Sequence, residues 1–590
     1  MNMNSKILLI AIAVSMPSYA FSSDVYLSLT RKAVTPSGYE REIEKLPVSV
    51  SVVTKDDIKM SNAKQATEIL GGLPGVFIKK TGDFGRADVD IRGIGGNGRQ
   101  LGIFIDGRPD KMGIFGCSVT HTLPMNNVER IEVIRGPESV LYGSDAFGGV
   151  VNIITKRPSK KLEGNFTASG GTFNTQNYLF EQGSKFDKFD YNLAINKRSG
   201  NGHRENSGFN ASDFAGKFGY SLSGGAEILL GAKYFTGIKN EPFPSVAGTW
   251  NDYGRGAVDL SYNNTSGNLD NSIKIYRSFG EHRFSDGFHS RDFTDGVILR
   301  GKTNAFVNNE LTIGADYRYQ AGDVLNAAPA ALIGSYHKYE YGAYINDEHT
   351  FFEKLTISGG ARYNYDEFAK AIINPKLGVV YNTPGGTTIR AILSHGFRAP
   401  QINDLYLWGG NKNLEPEKVV NNEIGARRQL GGLGYIDVAG FIMKGSGLIQ
   451  TVAGKNVNTG DFEFKGVESI LSLKFSESLN GQLNYTYLDP GIYTTGRPGD
   501  KAGASLKYAK DKLNAIITGE YVGRYFAADN SSNRIGDHVI LNTKIDYRLL
   551  RDMSVFAAVD NITGESYQLY YNGLYTMPGA TLTLGANYAF

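Results

Sequence analysis

The sequence predicts a transmembrane all-β fold, a large antiparallel β-barrel preceded by a smaller α+β domain. Three observations carry this reading. From about residue 162 to the C-terminus, apolar and polar residues alternate with a period of two, segment after segment. The composition suits a big antiparallel sheet with aromatic belts, with 73 Gly, 34 Tyr and 32 Phe against 18 Pro and 2 Trp. Past the N-terminus no apolar run is long enough for a membrane helix, which leaves strands as the only way across a bilayer.

Taken in order, the chain opens as a secretory leader. Lys6 supplies the charge and Ile7 to Met16 the apolar core. Pro17-Ser18-Tyr19-Ala20 ends with small residues where a signal peptidase reads, so residues 1–20 are set aside as a signal peptide. An uncleaved anchor is disfavoured because the core is too short to span a bilayer. Residues 21–40 are polar without a helical stripe and read as an extended tail. One cysteine, Cys117, allows no internal disulfide in an exported chain.

Residues 41–157 mix helix and strand signals at the size of one compact domain. Thr54-Lys55-Asp56-Asp57 is a helix start, with a capping hydroxyl and acids in the first turn. Ala66 to Leu70 is helical, stopped by Gly71-Gly72-Leu73-Pro74-Gly75. Short strands are expected over 89–92, 101–106, 131–134 and 150–155.

The barrel, residues 162–590, is plainest where the alternation is clean. Leu355, Ile357, Ala361, Tyr363 and Tyr365 share one face, with Thr356, Ser358, Arg362, Asn364 and Asp366 on the other. Leu541, Thr543, Ile545, Tyr547 and Leu549 oppose Asn542, Lys544, Asp546 and Arg548. Leu582, Leu584, Ala586, Tyr588 and Phe590 end the chain in the same way. A soluble sandwich also alternates, but its inner face is dry. Charge on the second face fits a wet lumen, and a Lys or Arg facing lipid would cost roughly 2–4 kcal/mol at mid-membrane. Polar stretches at 199–212, 238–256, 280–296, 320–335, 404–418 and 522–536 are candidate external loops.

Charge is nearly balanced, 62 basic against 59 acidic residues, which gives no reason to expect a nucleic-acid partner. Neither a Gly-x-Ser-x-Gly elbow nor a His-Glu-x-x-His site occurs, so no enzyme is expected. Gly93-Ile94-Gly95-Gly96-Asn97-Gly98 suggests a dinucleotide loop only superficially, since no long helix follows.

Several separated motifs occur together. They are Leu73-Pro74-Gly75-Val76, Ile91-Arg92-Gly93, Phe104-Ile105-Asp106-Gly107, and Val128-Glu129-Arg130-Ile131-Glu132-Val133-Ile134-Arg135-Gly136-Pro137. Leu141-Tyr142-Gly143-Ser144 and Gly148 to Thr155 follow. Later come Gly396-Phe397-Arg398-Ala399-Pro400, Asn413-Leu414-Glu415-Pro416-Glu417 and the terminal Phe590. In that order, over essentially the whole mature chain, they resemble the TonB-dependent outer-membrane receptors.

The resemblance implies a barrel of about 22 strands in the outer membrane of a Gram-negative cell, its lumen stoppered by residues 41–157. Residues 162–590 then give each strand roughly ten residues and a connection. It further implies assembly by the barrel-insertion machinery, which reads Phe590, and a monomer in outer-membrane lipid. The implied function is energised import of a scarce ligand, a siderophore, cobalamin or another metal chelate, with no permanently bound cofactor. Tyr142-Gly143-Ser144-Asp145-Ala146 and the short barrel loosely resemble cobalamin receptors, which does not choose a ligand. The alternatives are copper or haem uptake through a soft-ligand plug loop and, less favoured, a passive porin, which has no use for a plug or a tail.

Energy would come from TonB and its inner-membrane complex, through a strand added to a short extended segment. Within Asp24 to Thr30 the candidate box is Val25, Tyr26, Leu27, Ser28 and Leu29; plain linker is the other reading. Arg92, Arg130 and Arg135 resemble the plug side of a releasable ionic lock, with Glu423 and Glu468 on the barrel side. Ordinary lumen solvation is the alternative for each pair.

By the same resemblance, residues 111–125 form an outward plug loop that first holds the ligand. Met112, Phe115, Cys117, His121 and Met125 are its candidate contacts. Thiolate, imidazole and thioether suit copper, zinc or haem iron, and Cys117 and His121 are four apart, close enough to share a metal. A packed Cys and a hydrogen-bonded His are the other reading. Haem is disfavoured, because haem receptors usually carry a His between the two barrel motifs and residues 401–412 have none. His282, Asp286, His289, Asp292 and Asp295 form a second polar cluster, read as a solvated loop or a metal-capturing one.

Overall fold

A computed structural model describes residues 32–34, 39–123, 125, 127–242 and 248–590. The signal peptide and the candidate TonB box lie outside the described residues. No helix among these residues is long and apolar enough to cross a membrane.

The N-terminal domain is built on a sheet of five strands, β1 (Ser49–Thr54), β4 (Gly102–Ile105), β5 (Arg108–Pro109), β6 (Val128–Arg135) and β7 (Gly149–Thr155). A separate hairpin pairs β2 (Val76–Lys80) with β3 (Ala87–Ile91). The sheet order is β1-β6-β7-β4-β5, with only β4 and β7 parallel, so β1 is an edge strand. Ile131, Val133, Val151 and Ile153 alternate onto the face that packs against Val89 and Ile91 of the hairpin. Their neighbours Ile134 and Val150 face the other way, with Val50 and Val52, toward Tyr344 and Ile392 of the barrel.

The expected helix start is present. Thr54 Oγ1 accepts from the Asp57 amide at 3.2 Å and Asp57 Oδ2 accepts from the Thr54 amide at 2.9 Å, opening helix α1 (Lys55–Met60). The second helical segment is a single tight turn, Glu68–Gly72. Strands β1 and β2 had no sequence reading of their own.

From Glu163 the chain forms a closed antiparallel barrel of 22 strands, the first (Glu163–Gly171) paired with the last (Thr581–Ala589). Closure removes both sheet edges, so every strand finds two partners. The alternation lands as its period requires. In strand Leu355–Asp366, Ile357, Ala361 and Tyr363 are exposed on the outside, while Arg362, Asn364 and Asp366 are buried toward the lumen. The α+β domain sits in that lumen.

Connections alternate in length. One end has short turns, such as residues 187–188, 267–268 and 511–512, and the chain terminates there at Phe590. The other end carries longer ones, such as 399–416, 447–461, 524–537 and 561–580. Long connections mark the external end of such barrels. Several expected loops are shorter than the sequence suggested. Residues 280–296 are mostly strand, since Leu269–Phe284 and His289–Thr303 leave only residues 285–288 between them; 320–335 likewise lies largely in Asn309–Asn326 and Gly334–Phe351. The ladders run past the apolar band, where both faces turn polar while backbone pairing continues.

Candidate functional site

One buried ionic cluster at the seam between plug and barrel gathers Arg92, Arg135, Glu423 and Glu468. Hairpin β2–β3 returns through Arg92, a non-glycine residue at φ 52°, followed by Gly93 at φ 81°. That left-handed conformation is costly for arginine and is held by the Arg92 amide donating to Gly75 O at 2.8 Å. The guanidinium bridges two barrel strands, donating to Glu423 Oε2 at 2.7 Å and to both Glu468 oxygens at 2.8 and 3.0 Å. Phe441 lies 4.2 Å beneath it. Burial opposes the charge of Arg92, but the two carboxylates outweigh it and raise its pKa above the ordinary arginine value.

Arg135 pairs with Glu468 at 3.0 Å and also donates to Ser51 Oγ. Burial prevails over Glu468 here and lowers the Arg135 pKa. The same cluster explains Leu73-Pro74-Gly75: at Gly75, φ 67°, a Cβ would collide with Glu468 Oε1.

Arg130 is a correction. It and Arg135 are five residues apart on β6, hence on opposite faces, and Arg130 pairs with Glu132 of the plug itself at 2.8 Å. Three participants had no sequence reading: Ser49 Oγ donates to Glu423 Oε1 at 2.6 Å, and Arg390 bonds Ser49 Oγ and Asp437 at 3.1 and 2.8 Å. Arg390 and Asp437 follow the inward alternation of charge, a signal present in the sequence but shared with many lumen residues.

The two mid-barrel motifs meet each other and the plug. Arg398 pairs with Glu417 and, at 2.8 Å, with Asp404, while Ser144 Oγ accepts the Ala399 amide at 3.0 Å. Lys111 and the barrel's Arg318 both pair with Asp145.

The loop 111–125 does not gather one donor set. Met112, Phe115 and Cys117 are buried in an apolar cluster with barrel residues including Phe235, Tyr253 and Phe288. Met125 packs elsewhere, against the plug's own core. His121 is buried edge-on to Tyr253 at 4.9 Å and Phe235 at 6.0 Å. Burial, together with Lys239 and Arg86, pushes its pKa well below the ordinary value and keeps the ring neutral. Among the described residues, no group of three or more His, Cys, Asp and Glu side chains is arranged to hold a metal. Phe115 does reach the outer mouth, stacked 5.8 Å from the half-exposed Trp408.

The second polar cluster disperses as well. His282 and Asp292 face inward, with Asp292 accepting the Gly113 amide at 2.8 Å, while His289 bonds Glu281 and Asp295 pairs with Arg277 outside. Period-two alternation on paired strands separates them.

Residues 157–562 match the family described as TonB dependent receptor-like, beta-barrel, and residues 42–150 match the TonB-dependent Receptor Plug Domain. The chain is 25% identical to an iron-regulated outer membrane virulence protein of Vibrio cholerae, covering 98% of each. It is 26% identical to a vitamin B12 transporter of Vibrio vulnificus, covering 97% of this chain and 98% of that one. Among solved structures it resembles the siderophore receptor PirA from Pseudomonas aeruginosa (TM-score 0.76, 20% identity, 92% of this chain and 99% of that one). It also resembles the ferric enterobactin receptor PfeA of that organism (TM-score 0.77, 18% identity, 92% and 100%). With its plug inside a closed 22-stranded barrel, the chain belongs to the TonB-dependent receptors of the outer membrane.

Proposed function

We propose that this receptor imports a metal chelate of the ferric siderophore or cobalamin class, using force that TonB applies to the N-terminal tail. The observation that carries the reading is the Arg92–Glu423–Glu468 cluster. It fixes the plug by charge-assisted bonds, which hold strongly at rest but reform readily after separation, unlike a continuous apolar core. The outer membrane has no nucleotide supply, so a plugged pore needs mechanical work from within.

The path of that work is short. Val34 donates to Glu132 of β6 at 2.9 Å, and Lys32–Ala33 pairs with Arg41–Glu42. After the turn Ile43–Lys45 comes the edge strand β1, whose Ser49 bonds Glu423. A pull on the tail therefore reaches the ionic cluster through few intermediates. The candidate ligands follow from the relatives, whose names specify iron regulation, vitamin B12 and enterobactin. An aromatic mouth at Phe115 and Trp408 suits large chelates with ring systems.

The test deletes residues 24–30 from the full chain. Binding of radiolabelled cyanocobalamin and ferric enterobactin to intact cells is measured beside their uptake. Loss of uptake with binding retained is the expected result; uptake that survives the deletion refutes the energised mechanism.

A further inference from the structure

Resting on that reading, the question is where a ligand gets past the plug. Two cavities lie between plug and barrel, of about 400 Å³ and 620 Å³. Both border the same wall, formed by the later strands as far as Thr581–Ala589 and by the first ones. The smaller cavity reaches from Gln429 and Tyr435 near the short-turn end to Met577 and Gly579 in the external connection 561–580. The larger opens toward the short turns at Arg551 and Asp552. Ser61, Asn62, Ala63, Lys64 and Lys544 line both and form the neck of protein between them.

The neck is polar. Lys64 pairs with Asp83 at 2.5 Å, Asn62 donates to Asp560 at 2.7 Å, and Lys544 donates to Ser61 O at 2.8 Å. Above it the lining changes character. Phe77 of β2 is buried against Val522, Tyr525, Ile535, Leu569 and Tyr575, with the Tyr525 ring edge-on at 5.4 Å. These five, with Met577 of the same cluster, are barrel residues at the external end, most of them in the small hairpins Tyr525–Ala528/Ser532–Ile535 and Gln568–Tyr570/Leu574–Thr576. One plug side chain thus closes the upper end of the smaller cavity with an apolar seal.

Elsewhere the plug's circumference is also fastened by apolar packing, at seams that neither cavity reaches. Phe147 packs with Phe441, Phe462 and Phe464, Ile134 with Tyr344 and Ile392, and Met112 with Phe235 and Phe288. The barrel's Lys501 and Asn484 hold the carbonyls of Gly71 and Gly72 at the passage edge, which keeps that edge of the plug in register while β2 moves.

We propose that ligand crosses between the plug and this wall, along the smaller cavity, and that Phe77 with the two external hairpins is the outer seal. The plug need not leave the barrel. Displacing hairpin β2–β3, which carries Arg92 at its end, withdraws Phe77 and disturbs the ionic cluster together.

The test needs neither ligand nor TonB, so its failure is separable from failure of the import reading. The purified full-length protein is placed in planar bilayers and its ionic conductance recorded. Wild type should stay closed, and Phe77→Ala should open at least tenfold more often. Phe77→Leu, which keeps most of the packing, should open at an intermediate frequency, so the idea remains testable if the alanine variant folds poorly. Phe147→Ala, an equal truncation at a packed seam, should remain closed. A silent Phe77→Leu in a folded barrel, or a Phe147→Ala that conducts as freely as the Phe77 variants, would overturn the assignment.

Discussion

Arg92 shows how a single side chain is made to join two domains. It is one of the largest fully buried side chains in the protein, and it is acceptable there only because three carboxylate oxygens surround it. Arg92→Ala would strand Glu423 and Glu468 without their main partner in a dry seam. The expected cost to plug docking is about 3–5 kcal/mol. Arg130→Ala breaks a pair that lies wholly within the plug, so it should leave plug docking to the barrel close to wild type. Limited proteolysis of the plug in detergent, followed by mass spectrometry, reads both; similar cleavage rates in the two variants would contradict the assignment of the joint. The sequence motif around Arg92 and its resemblance to the family marked this residue. Spacing alone could not, because its partners lie more than 300 positions away. Ser49 and Arg390 went unread for a related reason: a serine on an edge strand and an arginine on a lumen face are common, and only the fold brings them to Glu423.

At the scale of the element, each barrel strand resolves two solvents with a period of two. Strand Glu417–Gln429 turns Glu423 to the buried ionic cluster and its neighbour Ile424, 65% exposed, to lipid. Ile424→Lys therefore places a charge against the hydrocarbon near the middle of the strand, with an expected loss of about 2–4 kcal/mol in barrel stability. Urea unfolding of the barrel in lipid vesicles, monitored by heat-modifiable migration, measures it; an unchanged midpoint would mean that the face is not lipid-exposed. This alternation made the barrel legible from residue 162 onward. Loop lengths were less so. In segments such as 280–296 both faces are polar although the ladder continues, and polarity alone does not distinguish a strand above the membrane from a loop. In the plug, β1 and β2 went unread although they are as long as the expected β3 and β4, and Val50 and Val52 of β1 alternate with serines.

The whole molecule joins two bodies of unequal cohesion. The barrel is a closed ladder in which opening one strand means breaking pairing on both sides. The plug has a five-stranded sheet with a free edge at β1 and is fastened to the wall by discrete ion pairs, apolar contacts and cavities. Cooperative units of this kind open at different free energies. Hydrogen exchange on the full chain should show β1 and the residues just before it exchanging first. The hairpin β2–β3 should follow, and the barrel ladder last. The closed ring makes that order a consequence of topology: the edge strand β1 can detach by losing one neighbour and the hairpin β2–β3 pairs with no other strand, whereas a barrel strand must lose two. Exchange of plug and barrel amides in a single step would mean that the seam is as cohesive as the ladder, and a pull on the tail would then have no weaker part to move.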